Sequence, residues 1–239
     1  MAKDFLWGEE FKLDVARGKA RGASVINIFG YNTAGTTSLR AVWDKAAAYA
    51  YPASAVTMTV TNDDAADDGG TVLIKGLDAN YEEVSEVVTA NNASPPTTTQ
   101  TFLRINDVIY TKSTGANAGI IDVSNGGVDY ARIRAGDGRN QASIYTVPAG
   151  CEFYLYRIDA FSSDSTSSKP FIFRNFTRLS TGAEYNTART TALGNMSIQR
   201  RLPFKYSEKT DIQFQMATRS GTHELAVFGE GILIKETMS

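Results

Sequence analysis

The sequence predicts an all-β protein: two β-sandwich, jelly-roll-like domains preceded by an extended N-terminal arm. Three observations carry that expectation. From about residue 50 onward the chain falls into short stretches in which apolar and polar residues alternate, the period of a half-buried strand. Gly, Asn, Asp, Ser and Pro separate the stretches at the spacing of a sandwich or barrel. With 42% hydrophobic and 10% aromatic residues over 239 positions, the chain also has the apolar content to fill one large or two small domains.

Residues 1–50 read as the arm. Residues 15–22 (VARGKARG) are basic and interrupted by glycine, and residues 25–29 are a β-branched run too short to build a core. A segment of this kind gains order mainly against a partner surface, so Val15, Arg17, Lys19, Arg21, Val25, Ile26, Ile28 and Phe29 are the expected assembly residues. Residues 39–50, with Trp43 and the run Ala46, Ala47, Ala48, are the place for a short helix.

The first sandwich is expected over residues 51–138. Val56, Met58 and Val60 alternate with Thr57, Thr59 and Thr61 ahead of the turn-rich residues 62–70, and further strands follow at 71–76, 82–89, 100–111, 119–124 and 130–135. A second series at 141–147, 152–161, 170–179, 196–204, 211–218 and 224–235 predicts the second, jelly-roll-like sandwich over residues 139–239. Its aromatic residues include Phe171, Phe173 and Phe176, which in alternating strands serve as core and subunit interface.

Charge and composition narrow the function classes. Lys and Arg total 24 against 26 for Asp and Glu, so no global basic field holds nucleic acid. Cys151 is the single cysteine, which excludes an internal disulfide and a cysteine-based zinc site. Residues 1–11 mix Lys3, Asp4, Glu9 and Glu10 among apolar positions, unlike a signal peptide, and no apolar run approaches the roughly 20 residues of a membrane span. Residues 62–94 carry eight acidic side chains against Lys75, and residues 169–209 eight basic ones against Glu184 and Glu208. Blocks of opposite sign suit docking between domains or subunits, or form two solvated faces. Arg200 and Arg201 are the candidate interface cations.

The candidate chemical motifs each have a structural reading. His223, the one histidine, sits in a turn before a strand, and Cys151 opens a strand after Pro148, Ala149 and Gly150, so neither is placed as a catalytic base or nucleophile. Asp63, Asp64, Asp67 and Asp68 offer hard oxygen ligands, but Lys75 stands where the closing glutamate of a calcium loop would fall, and an acidic turn is the expected reading. Glu82, Glu83 and Glu86 could supply a glycosidase pair, but Glu82 and Glu86 share one strand face with Val84 and fit a charged sheet edge. Gly136-Asp137-Gly138 lacks the third glycine and the helix of a pyrophosphate site. Asn175-Phe176-Thr177 and Asn195-Met196-Ser197 match the short glycosylation pattern without other secretory features. No catalytic residue, metal or cofactor is expected.

Several longer phrases carry a resemblance: VARGKARGASVINIFGYN, GLDANYEEVSEVVT, FLRINDVIY, YTVPAGCEFYL and FGEGILI. Together, over about residues 15–234, they resemble virion structural proteins of tailed bacteriophages, especially marine and cyanobacterial ones. The resemblance implies a two-part β-protein present in many copies on the particle, assembled in the host cytoplasm, with its arm threaded onto neighbours. Expected partners are other virion proteins of the capsid or tail and further copies of the chain, as a trimer or another cyclic oligomer, with no direct nucleic acid or membrane contact. The expected role is a capsid decoration or cement protein or a head fibre; a tail or baseplate component, a host-glycan-binding adsorption module and a glycan-degrading enzyme are the competing classes.

Overall fold

The computed structural model describes residues 9–163 and 170–235; residues 1–8 of the expected arm and Lys169 of the basic block lie outside the described residues. Fifteen strands account for most of what is described, as the alternation predicts, with one helix, α1 (Glu9–Ala16), and a single 3-10 turn, Ala65–Asp67.

Nine strands form a jelly roll. One sheet has the order β1 (Ala23–Gly35), β15 (His223–Lys235), β10 (Cys151–Ser162), β13 (Asn195–Tyr206). The other runs β12 (Glu184–Ala192), β11 (Phe171–Arg178), β14 (Asp211–Ala217), β2 (Arg40–Ala41), and the short β9 (Ile144–Thr146) also pairs with β14. The first strand lies beside the last, and apart from the β11–β12 hairpin the strands from β9 to β15 cross between the sheets, which is the two-Greek-key order of a jelly roll. The inward rows fill the space between the sheets. Phe153 and Leu155 of β10, Phe171 and Phe173 of β11 and Phe214 of β14 are all at most 1% exposed. Rings pack in series, with Phe153 at 5.3 Å from Tyr145 and 6.1 Å from Tyr206, and Phe173 at 6.2 Å from Phe214. Gly229 and Gly231 of β15 make that packing possible, because a Cβ at either would come within 2.3 Å of the Phe214 or the Phe153 ring.

The remaining strands are an insertion between β2 and β9. They form two three-stranded antiparallel sheets, β3 (Thr59–Asn62), β7 (Ile121–Asn125), β8 (Val128–Ile133) and β5 (Glu83–Thr89), β4 (Thr71–Leu77), β6 (Arg104–Thr111). Met58, Val60, Val72, Ile74, Phe102, Val108, Ile121, Val123 and Ile133 form their shared core.

Three expectations are corrected. Residues 23–35 are not an extended arm: β1 pairs with β15 without interruption from Ala23↔Ile234 to Asn32↔Leu225. Residues 39–50 hold no helix; Arg40 and Ala41 pair with β14, and Trp43 is buried with its indole N–H donating to Ala47 O at 2.9 Å. Tertiary burial of a large ring outweighs the weak helix preference of three alanines. The two units are therefore not consecutive in sequence. The second needs β1 and β2 from the N-terminal fifty.

Candidate functional site

The carboxylates considered for chemistry are occupied by the protein's own donors. In the acidic loop, Asp67 is 1% exposed and accepts Ala118 N–H at 2.7 Å and Gly119 N–H at 2.9 Å. Asp63 accepts Ile120 N–H at 2.6 Å, and Asp64 accepts Ala66 N–H at 2.8 Å to start the 3-10 turn. Asp68 accepts from the Asn62 amide at 3.0 Å and from Asn92 N–H at 2.6 Å, and these bonds, the Asn62 one foremost, hold its carboxyl below the ordinary range. The acidic turn is thus a fastener that ties residues 91–92 and 118–120 to one loop. Among the described residues there is no group of three or more metal-binding side chains. Glu86 has the same kind of role: desolvation opposes its charge, but the amides of Thr99 and Gln100, at 2.9 Å and 2.7 Å, outweigh it and keep the carboxyl below its usual value. Glu82 and Glu83 are exposed on the β5 side of the molecule.

Elsewhere, the Cys151 thiol is buried at the start of β10, and the His223 Nε2 lies 3.1 Å from Ser220 O in its turn. Asn175 is fully buried and donates to the Tyr206 hydroxyl at 2.6 Å, so this glycosylation pattern is a core feature; burial pushes the Tyr206 phenol up to about 12.

The expected assembly residues separate. Val15 is 4% exposed, while Arg17, Lys19 and Arg21 are exposed on the loop between α1 and β1. In β1, Ile28 joins the jelly-roll core with Ile26 packed against it, whereas Phe29 points outward and is 48% exposed. Phe171 and Phe173 are core residues and form no interface, because the inward row of β11 holds them between the sheets. Phe176 is half-buried with the Arg174 guanidinium 5.1 Å from its ring centre. Arg200 and Arg201 are exposed.

The two outer faces of the jelly roll differ in kind. The insertion is locked over one of them at a seam built on Arg104 of β6 and Asp211 of β14. Arg104 Nε donates to Asp211 Oδ1 at 2.8 Å and Nη2 to Oδ2 at 3.0 Å, with side chains 8% and 5% exposed. The Tyr51 ring lies 4.5 Å from the guanidinium carbon, and Thr146 donates to Asp211 at 2.7 Å. Burial works against the Arg104 cation, but Asp211 outweighs it and holds the guanidinium above its ordinary value. Asn106 and Thr146 exchange two hydrogen bonds of 2.9 Å, and Lys45 reaches both Asp122 and Asp129. The seam does use opposite charges, though its central pair is a cation of the first unit with an anion of the second.

The opposite face carries α1 at one end and an aromatic patch at the other. Phe29, Phe228 and Phe161 stand on the adjacent strands β1, β15 and β10, with Phe29 and Phe228 4.8 Å apart. Around them lies a hollow of about 510 Å³. Among the described residues it is lined by one charged side chain, Asp159. Sequence reading missed this patch, since Phe29 and Phe228 become neighbours only through a pairing between the two ends of the chain.

No family model and no curated protein matches the sequence. Among solved structures, the chain is similar to the subunit of infectious bursal virus derived T=1 particles, with 8% identity, 90% of this chain and 70% of that one covered, and a TM-score of 0.26. The infectious bursal disease virus VP2 subviral particle gives 11% identity, 90% and 68% coverage and a TM-score of 0.25. A Bacillus thuringiensis Cry1Da tryptic core variant gives 10% identity, 84% and 52% coverage and a TM-score of 0.18. Overlaps this small decide neither fold nor function, and the strand order above stands without them.

Proposed function

We propose that the chain is a non-enzymatic structural protein of a virus particle, of the tailed-phage kind that its sequence phrases resemble, present in multiple copies as a decoration or cement subunit of the head. The single observation that carries this reading is the filled jelly roll with two unlike outer faces. Double-sheet jelly rolls serve capsids, lectins and small-molecule barrels alike. Here Phe153, Phe171, Phe173 and Phe214 occupy the space between the sheets, so contacts are made by the outer surfaces. One of those is closed by the insertion, and the other exposes Phe29 and Phe161 at 48% and 47%. Exposed aromatic rings set on a rigid sheet suit a protein interface. We assign anchoring to this face and to the exposed loop of Arg17, Lys19 and Arg21.

Imaging of purified particles with this chain labelled tests the reading. The expected result is regular, symmetry-related density on the head at a fixed copy number. Density on the tail would make it a tail or baseplate component, and particles without the chain would overturn the proposal.

A further inference from the structure

The strand β13 departs from its ladder at one point. Leu155 pairs with Phe204 and Arg157 with Gln199, so four residues, Arg200, Arg201, Leu202 and Pro203, stand opposite Tyr156 alone. The extra length is pushed out of the sheet edge. Leu202 at its tip is 79% exposed, the most of any large hydrophobic side chain among the described residues. The protrusion is held in shape: Arg200 Nε donates to Leu202 O at 3.0 Å, and its guanidinium lies 4.0 Å from the centre of the Phe204 ring. A bare leucine fixed between Arg201 and Pro203, on a strand whose proline and cations discourage edge-to-edge pairing, is a preorganised apolar knob.

The matching receptor is on the same molecule. The hollow around Phe29, Phe161 and Phe228 is lined mainly by apolar residues, with Gln141, Asn195 and Ser197 among them and Asp159 as its charged lining residue. Asp159 already holds Arg157 at 2.7 Å, but a carboxylate has lone pairs for a second guanidinium. Knob and hollow are thus complementary twice over, leucine to aromatic rings and arginine to carboxylate. Both lie on the same four-stranded sheet, so one copy's knob meets the hollow of another copy rather than its own.

We infer that Leu202 of one copy seats in the Phe29–Phe161–Phe228 hollow of the next, with Arg200 or Arg201 at Asp159, giving a head-to-tail contact between copies of this chain. This deepens the assembly reading and rests on it only in taking copies of the chain to associate. A contact between two different patches is heterologous, and it propagates to a ring or an open chain rather than stopping at a twofold dimer.

Sedimentation velocity of the full chain over a concentration series tests the inference. Wild type associates, while Leu202→Asp and Phe161→Asp each weaken association on the order of thirtyfold or more, as loss of a central contact does. Each variant retains one intact half, so an equimolar mixture of the two forms a 1:1 dimer that grows no further. Both side chains are exposed, and unchanged thermal unfolding verifies the folding of each; Leu202→Ser replaces the aspartate variant if unfolding shifts. A monomeric wild type, a mixture that stays monomeric, or variants that assemble like wild type would each overturn the inference. The last outcome leaves the assembly reading intact with a different surface, and particle imaging decides that reading independently.

Discussion

Two outward rows of the same jelly roll reverse the usual rule of polar outside and apolar inside. On β14, Asp211, Gln213 and Gln215 point away from the sandwich core yet are only 3%, 7% and 6% exposed. On the opposite sheet, Phe29 and Phe161 point away from the core and remain nearly half exposed. The polar row is buried because the insertion closes over it and each group has a partner: Arg104 for Asp211, Gln215 for Gln213, and Arg174 for Gln215 at 2.8 Å. A buried polar group costs little once its hydrogen bonds are made, and much when one partner is taken away. The aromatic row has no covering element among the described residues. One face is thus an interface already satisfied within the chain, and the other is suited to a contact between chains.

The largest effect is expected at the satisfied face. Asp211→Ala strands the Arg104 cation in the seam and should cost about 3–5 kcal/mol by chemical denaturation. Replacing both partners by apolar residues, Arg104→Met with Asp211→Leu, should recover most of that loss. If the double variant were as unstable as the single one, the pair would be holding the seam by more than mutual neutralisation. Next in size is Gly229→Ala, where the new methyl group meets the Phe214 ring and should cost about 1–3 kcal/mol, read as a lowered denaturation midpoint.

A smaller, pH-dependent effect belongs to the insertion. Asp68 and Glu86 titrate below their ordinary values of 3.8 and 4.5 in the folded chain. A depressed folded-state value contributes stability above the unfolded value and loses it as pH falls through the folded one. Resistance to thermal unfolding should therefore fall from about pH 4.5 downward, and Glu86→Gln should flatten that slope. The smallest effect is expected on the open face: Phe161→Ser should change the stability of the isolated chain by no more than about 0.5 kcal/mol while reducing self-association. A large loss of stability there would mean that the ring is part of the fold rather than of a contact.

What was legible in the sequence follows from what is local. The rows Val56, Met58, Val60 and Ile212, Phe214, Met216 put alternate apolar residues against the two cores, and both strands are readable from period alone. Strand β12, sequence EYNTARTTA, went unread because it is an exposed edge with no apolar row to alternate. The acidic turn is legible as a turn, but partners of Asp67 and Asp68 such as Ala118 and Asn92 lie in loops more than twenty residues away. Arg200 and Arg201 are legible as interface cations, whereas Leu202 beside them and the hollow that matches it are not.

By itself the sequence determined the all-β class, the positions of most strands and the apolar content of two cores, because side-chain alternation is a property of neighbouring residues. The tertiary fold decided that β1 and β2 belong to the second sandwich, that the first sandwich interrupts it, and which outward rows are covered. Those outcomes depend on backbone pairing between residues about two hundred positions apart, Phe29 with Phe228 above all, and a local pattern carries no record of its distant partner.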